Sequence, residues 1–453
     1  MVKKKLDSNS SVVNCVTKSG GEIKAFKEAL IFDNFEITAV EFFLADPIDL
    51  YNKKIITSCN GNNAGNPYYT FKVPTPTTQT IENPLEGMAF YLCADEAIVL
   101  VGLTPPKAKY FSYKSFVFSI KKEGTLYKTY TSLGDTINLM NINTMDLPDG
   151  NNPFSMPVII VTTADKGINA RVQAAAEVAG YDRKIMNTDI IPSAIAKMGL
   201  DADCDTFSYL NRTAMFENLS DGEEYQNNSG VVAFRVTPKT TPELDPYPTP
   251  TMRIRGTGLT EMDLMLMETV DQLRKAILDR YATYTSDELI TEVWLREGYE
   301  YIQTLKDGIG VSRDTSYLRT TSFKLPDSPN DFLIVYGVNH AATNKCTYAN
   351  FITYSKEILN GVACVNSDQF TKSAESFLPG NPMAKYLYVW KIARQSSDDD
   401  KENCLKVPMD DFANGIPLSE EMFIGFRAYV EPKTQIGPAW QELIFDRVVK
   451  FSK

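Results

Sequence analysis

Histidine is almost absent from this chain: one residue, His340, in 453. That excludes three-histidine zinc centres, the H-E-x-x-H metalloproteases and the two-histidine facial triad, each of which needs at least two imidazoles. The seven cysteines (Cys15, Cys59, Cys93, Cys204, Cys346, Cys364 and Cys404) form no C-x-x-C pair, so a thiolate zinc cluster of ordinary spacing is excluded as well. An odd count leaves at least one thiol free or bound to another chain. No G-x-S-x-G elbow exists to serve a Ser–His–Asp triad. The stretch VIIVTTADKGINARV reads as strand, loop and helix, but it lacks the glycine patterns that cradle phosphates. The sequence therefore assigns no cofactor.

Positive charge is outnumbered, with 46 lysines and arginines against 57 aspartates and glutamates. The formal net charge is −11, and Lys3, Lys4 and Lys5 are the one dense basic cluster, which argues against nucleic acid as a partner. No run approaches the roughly 18 consecutive apolar residues of a membrane helix, so membrane insertion is not expected. The start MVKKKLDSNSSVV has no apolar core behind its basic residues, and no secretory leader is read there. Sequons at Asn9, Asn211, Asn218 and Asn227 would permit glycosylation in a secretory setting. The compartment stays open. The acidic run Ser396–Asp400 reads as a solvated loop.

What the chain does contain is an apparent copy of itself. GLTPPKAKYFSYKSF (Gly102–Phe116) and GVNHAATNKCTYANF (Gly337–Phe351) share Gly, Tyr and Phe at equal spacing, each after a short apolar run. Further anchors follow in one order: TFKVP with SFKLP, LPDGNNP with LPGNP, IIPS with GIPLS, and AFRVTPKT with GFRAYVEPKT, beyond which Arg253 matches Arg447. The β-branched and aromatic runs around these anchors read as strands, and the glycines after the first runs as turns. INARVQAAAEVAGY reads as a helix with Val172, Ala175, Ala176 and Val178 on its apolar side.

From Thr260, apolar residues recur at Met262, Leu266, Val270, Leu273, Ile277 and Tyr281, a helical spacing, and the Met-rich MDLMLM reads as core packing. Ser286-Asp287-Glu288 then reads as the start of a second helix, SDELITEVWLREGYEYIQTL. The expected fold is α+β: an N-terminal segment at 1–59, a β-rich half at 60–257, a helical hairpin at 258–305 and a second β-rich half at 306–453.

Candidate chemistry centres on His340, because the first copy has Pro105 in its place and manages as scaffold without an imidazole. As a general acid/base, His340 would be oriented by Asp314, with Arg313 and Arg319 holding an anionic group and Asn339 and Tyr348 completing the site. The competing reading makes His340 a turn residue that caps a backbone group. Arg235 and Arg427, in the paired FR motifs, read as members of structural ion pairs. The leading functional expectation is an enzyme, of hydrolase or lyase type, acting on a small polar or anionic molecule held between the halves. Against it stand a non-catalytic, extracellular glycan- or protein-binding module and an assembly subunit. The oligomeric state is left open.

Overall fold

The computed structural model describes residues 9–147, 150–395, 403–410 and 413–453. The acidic run Ser396–Asp400 and Lys3–Lys5 lie outside them. The chain divides into two compact units. Unit 1 takes residues 1–44, 68–128 and 139–251; unit 2 takes 45–67, 129–138 and 252–453.

Unit 1 opens with helix α1 (Asn9–Phe32). Strands β1 (Phe35–Ala45), β2 (Tyr68–Lys72), β3 (Ala97–Leu103), β4 (Ala108–Lys122), β5 (Thr125–Ser132) and β6 (Pro157–Thr163) follow, the last residue of β1 and the last four of β5 being assigned to unit 2. Then come helix α2 (Lys166–Val178) and strands β7 (Met186–Ile190), β8 (Thr206–Phe216) and β9 (Val232–Pro238). The strands lie in the order β7-β6-β3-β9-β1-β2-β8-β4-β5. β1 is shared, so the array curls into two layers. One face of the first layer carries Val99, Val101, Ile159, Val161, Phe234 and Val236, and α1 and α2 cover it with Phe26, Leu30, Ile168 and Val172. Asp165 caps α2, accepting from the Ile168 amide at 2.8 Å, whereas Val178 is exposed rather than on the buried side.

Two buried ion pairs brace unit 1. Lys114 on β4 meets Asp189 on β7 at 2.5 Å, joining the layers, and Arg235 on β9 meets Glu96 just before β3. Arg235 thus has the carboxylate partner its mid-strand position calls for.

Unit 2 repeats the plan. Helix α3 (Glu261–Arg280) is closed by a capping box between Thr260 and Asp263. Leu266, Val270, Leu273 and Ile277 are buried against one sheet, while Leu264 and Met265 of the Met-rich stretch face solvent. The strands are β10 (Thr285–Leu289), β11 (Thr291–Leu295), β12 (Thr315–Thr320), β13 (Phe332–Val338), β14 (Tyr348–Ser355), β15 (Gly361–Asn366), β16 (Leu387–Ala393), β17 (Cys404–Lys406), β18 (Met422–Tyr429) and β19 (Arg447–Ser452). They form two sheets, β10-β19-β13-β16-β17 and β11-β12-β18-β14-β15. Leu333, Val335, Trp390 and Val448 of the first sheet pack against Leu318, Phe351, Ile424 and Phe426 of the second, so the core is the space between them.

Both units obey one connection rule once β11, which lies at the edge of its sheet beside β12, is left out of the count. The first strand pairs with the last (β1 with β9, β10 with β19) and the second with the penultimate (β2 with β8, β12 with β18). The third strand then joins the last and the fourth the penultimate (β3 with β9, β4 with β8; β13 with β19, β14 with β18). Two layers of four strands wound this way are a jelly roll. Each unit adds an edge strand in parallel, β7 on β6 and β17 on β16. The architecture is α+β, with helices laid on strand-built layers.

Three expectations are corrected. No helix forms from Ser286: Thr285–Leu289 pairs with Arg447–Ser452, and Thr291–Leu295 pairs with β12. Ile290, Thr291, Val293 and Trp294 suit a pleated strand, and partners distant in the chain outweigh the local Ser-Asp-Glu start signal. The hairpin is therefore a helix followed by strands, with only a short helix at Gly298–Thr304. The two FR motifs are not counterparts either, since AFRV is the last strand of its jelly roll and GFRAY the penultimate one. Gly337, read as a turn marker, lies inside β13. Its missing side chain makes room for Asp446, whose Oδ1 would come within 2.7 Å of a Cβ there.

Candidate functional site

The expected site residues all lie in unit 2. His340 follows β13 in a tight turn, with the amides of Lys345 and Cys346 returning to its carbonyl at 2.9 and 3.2 Å. Its side chain folds inward and is 5% exposed. Nε2 lies 3.2 Å from the Ile444 carbonyl, and Nδ1 is buried with no hydrogen-bond partner among the described residues. Burial drives the ring's pKa down to about 4, so the imidazole is neutral at physiological pH.

Neighbouring Asn339 is structural. Its amide donates to the Ser367 carbonyl at 2.9 Å, and its Oδ1 accepts from the amides of Ala341 and Ala342, closing the turn. The proposed partners do not converge on the ring. Asp314 is fully buried and accepts from Thr315 Oγ1 at 3.0 Å; neither ring nitrogen of His340 bonds to it. Arg313 is committed elsewhere: Nε pairs with Asp135 at 2.6 Å, Nη1 with Glu297, and Nη2 donates to the Arg253 carbonyl at 2.6 Å. Arg319 is half-exposed and pairs with Glu292 at 3.1 Å. Tyr348 is buried, donates to Asn366 Oδ1 at 2.8 Å and stacks on Tyr429.

What does surround His340 is a cavity of about 20 Å³, walled also by Asp446, Tyr388, Ser316, Ala349 and Ala428. The two alanines face each other across β14 and β18, and their small side chains leave the space. Asp446 accepts from Tyr388 Oη at 2.6 Å, and burial pushes its carboxyl up to about 7. Sequence reasoning misses this carboxylate. A signal for it exists: LIFDRVV sets an acid inside an apolar run. A cavity of this size holds about one water, too little for an organic substrate.

No known protein family matches the chain, and no curated protein does. Solved structures similar to it include two bacterial proteins. One is an uncharacterised protein from Burkholderia cenocepacia, 12% identical, with a TM-score of 0.39, covering 96% of this chain and 88% of that one. The other is the VPA0106 protein from Vibrio parahaemolyticus, 10% identical, with a TM-score of 0.38, covering 90% of this chain and 96% of that one.

A second polar cluster is also invisible to the motif reading. In NGNNAGNP (Asn60–Pro67), Asn63 donates to Tyr429 Oη at 2.7 Å and accepts from Asn350 at 2.9 Å, and Asn62 accepts from the Gly361 amide at 2.8 Å. Arg427, expected in an ion pair, donates to the Gly61 carbonyl and to Tyr354 Oη, both oxygens of neutral groups. Of the sequons, Asn211 is fully buried in β8, which bars a glycan there in the folded chain. Cys59, Cys93, Cys204, Cys346 and Cys364 carry free thiols.

Proposed function

We propose that the chain is a structural subunit of a protein assembly rather than an enzyme built on His340. The observation that carries this reading is the repetition of the jelly-roll connection rule in both units. Jelly rolls serve as shell-building and lectin modules, and the step from this fold to this role is by analogy. A chain that repeats one plan fills two like positions per copy in a symmetric assembly, which suits a shell or ring. The same repetition supports descent of the two units from a duplicated ancestor.

The burial of His340 weighs against the enzyme reading, since a general base must reach its substrate. The glycan-binding reading would need an exposed aromatic strip, and the three tryptophans are buried or half-buried. Light scattering on the purified full chain, followed by electron microscopy, tests the proposal. The expected result is a particle of several chains with regular outline. A monomer persisting to the highest attainable protein concentration would sink it.

A further inference from the structure

We propose that the cavity beside His340 is a hydration site, holding one buried water that bridges His340 Nδ1 and the Asp446 carboxyl. The argument begins with the tautomer. A carbonyl oxygen only accepts, so the 3.2 Å contact to Ile444 requires the proton of the neutral ring to sit on Nε2. Nδ1 is then a bare acceptor, buried and unmatched by any donor of the described residues. Leaving such a group unpaired is costly, and few native interiors do so.

Asp446 supplies the second partner. Tyr388 Oη occupies its Oδ1, and the carboxyl stands in the same cavity wall as the imidazole. Ser316 adds a third polar atom: its hydroxyl proton goes to the Pro438 carbonyl and its oxygen accepts from Arg255 Nη1 at 3.4 Å, leaving a lone pair that can take a water hydrogen when the Asp446 carboxyl is protonated. A volume of about 20 Å³ exceeds the roughly 10–15 Å³ that one water requires, and it falls short of room for two. The water donates one hydrogen to Nδ1. The other goes to Asp446 when that group is ionised; when it is protonated, the carboxyl donates to the water instead. Asp446 also lines an outer groove of about 230 Å³ with Glu288 and Thr291, which places the site one side chain from solvent.

The lone histidine makes the test direct, because a ¹⁵N-labelled chain gives one pair of imidazole signals. The expected spectrum shows the Nε2–H tautomer, with Nδ1 displaced from the position of a free acceptor towards that of a hydrogen-bonded one. A crystal structure of the wild type should show one water between Nδ1 and Asp446. An Nδ1–H tautomer, a free-acceptor Nδ1 signal, or a dry cavity would each overturn the proposal. Ala349→Val supplies an independent reading. Filling a dry cavity would raise the unfolding midpoint, whereas displacing a bonded water strands Nδ1 and should lower it. A raised midpoint with the fold retained counts against the water.

Discussion

Replacing Asp446 by asparagine should stabilise unit 2 at alkaline pH and do little at acid pH. The carboxyl titrates near 3.8 in an unfolded chain and at about 7 in the fold, chiefly because burial penalises its charge. Between those values the folded state holds a proton that the unfolded state has released, so stability falls as pH rises through the interval. At roughly 1.36 kcal/mol per pH unit, the penalty reaches about 4 kcal/mol above pH 7 as an upper figure. His340 works the other way. Its folded value of about 4 lies below the ordinary 6.5, so it contributes stability at neutral pH that is lost as pH falls towards 4. The two slopes oppose each other between about pH 4 and 6.5, and the wild type should be nearly flat there. The side-chain amide of Asp446→Asn keeps an oxygen for Tyr388 and offers an N–H where the protonated carboxyl has its O–H. Urea unfolding across this pH range, at fixed protein concentration, measures the effect. All three tryptophans (Trp294, Trp390 and Trp440) lie in unit 2, so their fluorescence reports the relevant transition. The expected gain at pH 8 is about 2–4 kcal/mol, fading to near zero at pH 4. A variant less stable than wild type at pH 8, or a difference independent of pH, would refute the reasoning.

Three further outcomes follow from the contacts. Glu96→Ala leaves the Arg235 charge buried without its carboxylate and should cost about 3–5 kcal/mol in chemical unfolding of unit 1. Asn63→Ala removes the shared partner of Tyr429 and Asn350, so a loss of about 2–3 kcal/mol is expected in unit 2, read by tryptophan fluorescence. Arg319→Ala breaks only a half-exposed pair with Glu292 and should change stability by less than about 1 kcal/mol; a larger loss would mean that Arg319 does more than pair at the surface.

The parts of the fold legible in the sequence are those decided by neighbours along the chain. Thr260 with Asp263, and the spacing of Leu266, Val270, Leu273 and Ile277, announce α3 because capping and amphipathicity act within a few turns. The strand runs at Ala97–Leu103 and Phe332–Val338 show themselves by β-branched content. The jelly-roll order stays hidden, since it depends on which distant strands pair. Thr285–Leu295 misleads for that reason: its fate is set by Arg447–Ser452 and Thr315–Thr320. His340 misleads in a related way. NHAATNKC has the polarity of a surface turn, yet Ala349 and Ala428, far apart in sequence, open the space that takes the imidazole indoors.

The placement of Ala45–Pro67 within unit 2 bears on how the chain is made. Asn63 leaves the ribosome 366 residues before the tyrosine it will bond, Tyr429. Until then it waits, while the flanking strands β1 and β2 are free to form. Completion of unit 2 is thus a late event with high contact order, the kind that folds slowly and leaves strand edges open meanwhile. A C-terminal fragment beginning at Met252 would lack both Gly61 and Asn63, leaving Arg427, Tyr429 and Asn350 short of partners. Supplying residues 45–67 as a separate peptide should shorten its refolding time.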